Sequence, residues 1–261
     1  MSSIRLFKFP LQYSNQFFLQ DVTGIIDYLL ILVGPGTVLF FTFYLLWAGR
    51  RKNRKIMNLS REALLEVFTE FDDLDMDQMS SNGGLLYPKY KKSQDISFKD
   101  FRVVFALEER HLMLSVIISW FTGVNDYIAL EANSKKGKIP TKIQIIPKQE
   151  EGQIKKHQDL LFQLDEIVLG VKKLDDYFLL KATSQRTGTY FLGDKNLLKL
   201  IYSVRKVIIR ISMDSGDDPS IRVYARINKE LNMEKLHALF LALCERINEV
   251  SEKVVMKKKH S

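Results

Sequence analysis

Apolar and polar positions alternate in three different textures along the chain. Residues 24–48, GIIDYLLILVGPGTVLFFTFYLLWA, are apolar almost without interruption, and Asp27 is their one charge. At about 1.5 Å per residue this stretch is long enough to cross a hydrocarbon core of roughly 30 Å, where every backbone group must be satisfied within a helix. Tyr28 at one end and Tyr44 and Trp47 at the other sit where amphipathic rings favour the membrane interface. The pattern predicts a single N-terminal transmembrane helix, kinked at Gly34-Pro35-Gly36 because proline lacks an amide N–H. A cleaved signal peptide would have a shorter apolar core with its cations in front; here they follow.

The second texture is short. Leu64, Leu65, Phe68 and Phe71 share one face of a predicted helix over 59–71, with Ser60 as its N-cap and Glu62 in its first turn. Acidic and polar residues follow over 72–95. Asp72, Asp73, Asp75 and Asp77 are spaced like part of a calcium loop, but the glycine and closing glutamate of an EF-hand are misplaced, so the segment reads as a solvated linker.

From residue 96 strand-like alternation takes over. Strands are predicted at 98–107, 126–132, 141–147, 177–182, 206–212 and 221–227. Residues 108–121 read as a mostly apolar helix, with strand as the alternative, and 154–168 as an amphipathic helix. Asp194 and Asn232 are placed to cap two more helices. The last of these carries Leu236, Leu239, Phe240, Leu243, Ile247, Val250 and Val254 on one face. Side by side, 98–168 and 175–253 both read strand, helix, strand, strand, helix, each with a paired hairpin. This predicts an α+β fold of antiparallel sheet and helices, built from two β-α-β-β-α repeats. The predicted organisation is a short segment 1–23, the span 24–48, a basic exit, helix and linker over 49–95, an α+β domain over 96–255 and a basic tail 256–261.

Charge adds an orientation. The chain of 261 residues has a net charge of +8, and RRKNRK at 50–55 places five cations directly after the apolar stretch. Only Arg5 and Lys8 precede it. Positive-inside bias then puts the N-terminus outside and the large domain in the cytosol. Cys244 is the only cysteine, which excludes an intrachain disulfide and a cysteine zinc cluster. Gly83-Gly84 lacks the Lys-Ser/Thr of a phosphate loop, and His111, His157, His237 and His260 are isolated from one another. No catalytic, metal or cofactor site is predicted. The candidate binding site is a basic face. Lys206, Arg210, Arg222, Tyr224 and Arg226 follow the two-residue strand period, and Lys257, Lys258 and Lys259 close the chain. Such a face could hold the phosphates of ribosomal RNA or of anionic lipid, or could be a solvated strand surface.

The order of features resembles a known family. A span with a basic exit, the helix REALLEVF at 61–68 and FRVVFALEERHLMLSVIISWFTGVNDYIAL at 101–130 are laid out as in the calumin family. These are coiled-coil-domain endoplasmic-reticulum membrane proteins of the PAT complex, which works beside the multipass translocon. The likeness covers about 29–255 by layout and scattered residues. It implies a non-catalytic accessory or chaperone of membrane-protein insertion. Its expected partners are the Sec translocon, the ribosome and nascent membrane proteins, at the endoplasmic reticulum or an archaeal plasma membrane. The family's long acidic lumenal region and long basic coiled coil have only residues 1–23 and 253–259 as counterparts here. The alternative is a membrane-tethered module that contacts anionic lipid or another protein.

Overall fold

The computed structural model describes residues 14–80, 83–91, 96–108, 126–135, 141–152, 164–214 and 220–259. A 54-residue helix, α1 (Ser14–Val67), leads into an α+β domain. The strands are β1 (Phe71–Ser80), β2 (Gly83–Tyr90), β3 (Phe98–Ala106), β4 (Tyr127–Ser134), β5 (Ile143–Pro147), β6 (Asp165–Glu166), β7 (Phe178–Ala182), β8 (Ile208–Met213) and β9 (Ile221–Arg226). Between and after them run α2 (Lys172–Asp175), α3 (Gln185–Leu192), α4 (Lys195–Ser203) and α5 (Met233–Lys259). All the strands join one antiparallel sheet in the order β1-β2-β3-β4-β9-β8-β5-β7-β6.

The transmembrane expectation needs correction. Among the described residues no helix is long and apolar enough to cross a membrane. Nor does a separate helix start at Ser60. That residue lies buried inside α1, which continues unbroken to Val67.

The linker expected over 72–95 is in large part the β1–β2 hairpin. Its aspartates are a strand pattern. Leu74 is buried and Met76 half-buried, while Asp75 and Asp77 face solvent, and a bulge after Phe71 sets this phase. Aspartate is rare in strands, so local propensity argued against the assignment that packing made. Gly83 is required where β2 starts, because a Cβ there would lie 2.3 Å from the Phe105 carbonyl oxygen.

The two predicted repeats are not present as equivalent units. The expected second hairpin exists as β8–β9. Its expected counterpart does not, because β4 pairs with β3 and β9 while β5 pairs with β7 and β8. The β8–β9 hairpin is inserted between β4 and β5, so the two halves share one sheet and their strand orders cannot be superposed. The helix predicted over 108–121 falls almost wholly outside the described residues, as does most of the one over 154–168. The last residues of the latter form β6 instead.

One apolar core lies on one face of the sheet. It takes Met57, Leu64 and Phe68 from α1 and its exit, Phe191 and Leu192 from α3, Leu197 and Ile201 from α4, and Leu236, Leu239, Phe240, Leu243, Ile247 and Val250 from α5. Sequence capping rules hold here. Asp194 Oδ1 accepts from the Leu197 amide at 2.7 Å and Asn232 Oδ1 from the Lys235 amide at 2.9 Å. Phe68, Phe71, Phe98, Phe101 and Phe240 form an aromatic cluster where α1, β1, β3 and α5 meet. Phe101 lies 5.1 Å from Phe68 and 5.3 Å from Phe240, centroid to centroid. Asn248 adds a polar clamp, accepting from Ser134 Oγ at 2.7 Å and donating to the Ser97 carbonyl at 2.9 Å.

Candidate functional site

The sheet face opposite the core carries a polar row, beside a small buried apolar patch of Ile146, Leu164 and Leu179. A row of cross-strand partners runs Arg102, Glu131, Arg222, Ser212, Gln144, Lys181, Glu166 across seven strands, from β3 to β6. Period-two alternation puts these residues on one face while the core residues take the other. Arg222, Tyr224 and Arg226 share this face on β9, and Arg210 stands opposite Tyr224. Lys206 does not join them. A bulge between Ile208 and Arg210 resets the phase, Ile208 turns into the core, and Lys206 lies ahead of β8.

The sheet cations are paired. Glu131 is only 6 % exposed; its carboxylate takes a 2.7 Å bond from Arg102 Nε and lies 3.9 Å from Arg222 Nε. Arg226 pairs with Glu150. Arg210 Nε donates to Gln144 Oε1 at 2.7 Å, and the Gln144 amide donates to Ser212 Oγ at 2.6 Å. Lys206 Nζ reaches Glu230 at 2.7 Å. Tyr224 packs edge-on to Tyr127 at 6.2 Å, and burial, with the Glu131 charge adding to it, pushes its phenol above the ordinary value. Removing one partner from such a network leaves a buried charge unpaired, so the row holds strands together first. The carboxylates that neutralise the predicted basic face, Glu131 and Glu150, come from distant parts of the chain. Their one signal is a lone glutamate inside the otherwise apolar alternation YIALEA. Lys257, Lys258 and Lys259 end α5.

A different cationic surface stands elsewhere. Arg50, Arg51, Lys52, Arg54 and Lys55 are all exposed on α1, and among the described residues none has a carboxylate partner. Arg51 lies over the Trp47 ring at 5.2 Å. Directly before this collar, Val38, Leu39, Phe40, Phe41, Phe43, Tyr44 and Trp47 are exposed, and they point to all sides of the helix. Apolar side chains around a whole helix are uncommon on a free surface and mark contact with an apolar partner. No protein-family model and no curated protein matches this chain.

The remaining titratable groups are built into the packing. The buried Cys244 thiol is pushed well above its ordinary value by desolvation, which makes it a poor nucleophile. His237 packs on Phe68 at 4.1 Å between ring centroids. Its Nε2 is buried without a hydrogen bond, 4.0 Å from a Glu70 carboxylate oxygen. Burial holds the imidazole below its usual pKa, against the pull of Glu70.

Proposed function

We propose that this protein is a non-catalytic accessory factor of membrane-protein insertion that works at a membrane surface. The observation that carries this reading is the uncovered apolar circumference of α1 between Val33 and Trp47, ending in a cationic collar. A partner for such a surface must be apolar on its own surface, as the segments of a membrane protein are before they are packed. The calumin-like layout supports the same role and makes the translocon and its ribosome the expected neighbours. The paired arginines of the sheet weigh against RNA binding through the β8–β9 hairpin and for a structural role there.

The test is photo-crosslinking. A photoreactive residue at Phe40 or Phe43 in the full-length protein, added to membranes translating a multispanning protein, is expected to give adducts with the nascent chain. Adducts with lipid alone would leave the second reading, a module tethered to anionic membrane, which the collar favours.

A further inference from the structure

The two faces of α1 past Gly49 are sharply divided. Gly49, Asn53, Met57, Ser60 and Leu64 are buried against the domain. At about 100° per residue they fall within an arc of about 80°. On the same scale Arg50, Arg51, Lys52, Arg54 and Lys55 spread over about 200° of the opposite side, with Tyr44 and Trp47 stacked one or two turns before them in that same sector. The cations therefore line the side that faces away from the domain, at the level where the apolar surface ends.

From this geometry we infer that the collar is a docking site for an anionic phospholipid surface, with Tyr44 and Trp47 at the headgroup level. Three observations select this occupant. The collar's cations have no carboxylate partner among the described residues, whereas Arg102, Arg222 and Arg226 of the sheet pair with Glu131 and Glu150. Aromatic rings next to cations match the layered chemistry of a bilayer interface, where rings sit at the headgroups and cations meet lipid phosphates. An apolar helix surface adjoins the collar directly, and a nucleic-acid surface would leave it in water. The domain would then hang below the collar on the buried side of α1, where Asn53 Nδ2 donates to the Glu108 carbonyl after β3 at 3.0 Å.

The inference rests on the membrane-surface reading above, but the two fail separately. The assay is flotation of the full-length protein with vesicles of phosphatidylcholine alone or mixed with phosphatidylserine. The wild type is expected to prefer the phosphatidylserine vesicles and to lose that preference as salt rises. Exchanging Arg50, Arg51, Lys52, Arg54 and Lys55 together for Gln should lower affinity for those vesicles at least about tenfold, since each cation near such a surface is worth about 1 kcal/mol. These positions are exposed, so the melting temperature should be unchanged, and the wild-type salt dependence stands even if the variant folds poorly. Arg222→Gln should retain the preference. Equal binding of the wild type to both vesicles overturns the inference, as does loss of the preference in Arg222→Gln but not in the collar variant. So does a collar variant that keeps the lipid preference and loses only binding to ribosomal RNA. Intact lipid preference without nascent-chain adducts removes the insertion role and leaves the collar site standing.

Discussion

Up to Trp47, α1 turns Phe40 and Phe43 two-thirds outward; from Gly49 onward the same helix buries Met57 and Leu64 almost completely. Nothing in backbone geometry separates the two halves, which form one continuous helix. The difference lies in what surrounds them. The proximal half has a buried stripe about one-quarter of the circumference wide, whose apolar members Met57 and Leu64 join the same core as Phe68, Phe71, Phe101 and Phe240. The distal half is apolar all round, and no single sheet or helix of the domain could cover such a cylinder. An amphipathic helix docks on its own protein, whereas a uniformly apolar one is left for something that encloses it.

If this division is right, truncation should act very differently on the two halves. Phe68→Ala removes a fully buried ring from the aromatic cluster and should cost about 3–5 kcal/mol, and Leu64→Ala about 2–5 kcal/mol. Phe40→Ala and Phe43→Ala should change domain stability by less than about 0.5 kcal/mol. Denaturant unfolding followed by circular dichroism measures all four, and similar costs in both halves would erase the distinction.

A smaller effect is expected at the join between the proximal half and α5. His237 has a folded-state pKa below its ordinary 6.5 because it is buried. The unfolded chain therefore takes up the proton more readily than the folded one. Stability from this group is full above about pH 6.5 and is lost as pH falls through the lowered folded value. Replacing His237 with Gln should flatten the pH dependence of the melting temperature over that window, and an unchanged slope would assign it to other groups.

The smallest effect tests the distal half alone. Gly34 and Gly36 have open space where a Cβ would stand. Gly36→Ala should strengthen the helix locally by up to about 1 kcal/mol and leave domain unfolding untouched. Amide exchange around Thr37 and Val38 would report the gain, and a shift of the global transition would mean that the two halves are coupled. Gly83→Ala is the contrasting case in the domain. There the new methyl meets backbone at 2.3 Å, and a loss of about 1–3 kcal/mol is expected.

Much of the fold was legible from local pattern. The face of α5, the caps Asp194 and Asn232, and the strands around residues 98, 127, 143, 178, 208 and 221 follow from periodicity and short-range hydrogen bonding, which neighbours in sequence decide. Strand partners are a long-range choice, and the sequence alone did not make it. The matching textures of 98–168 and 175–253 suggested twin hairpins, but β4 and β5 accept the β8–β9 hairpin between them, because a shared sheet buries more edge than two small ones. The acidic β1 became a strand for a similar reason: Leu74 had a core to enter and Gly83 let β2 approach β3.

The candidate site divides the same way. That Arg210, Arg222 and Arg226 share a face was readable from a two-residue period, with a bulge displacing Lys206. That Glu131 and Glu150 neutralise two of those arginines was not, since carboxylates that come from other strands are set by register alone. The sequence by itself determined where the chain is apolar, where it is basic and where β3, β4, β5, β7, β8, β9 and the last helix lie, but not the β1–β2 hairpin. Only the tertiary structure decided which cations have carboxylate partners, because pairing depends on distances between residues that are far apart along the chain. It was tertiary packing, too, that made one half of α1 part of a core and left the other half uncovered.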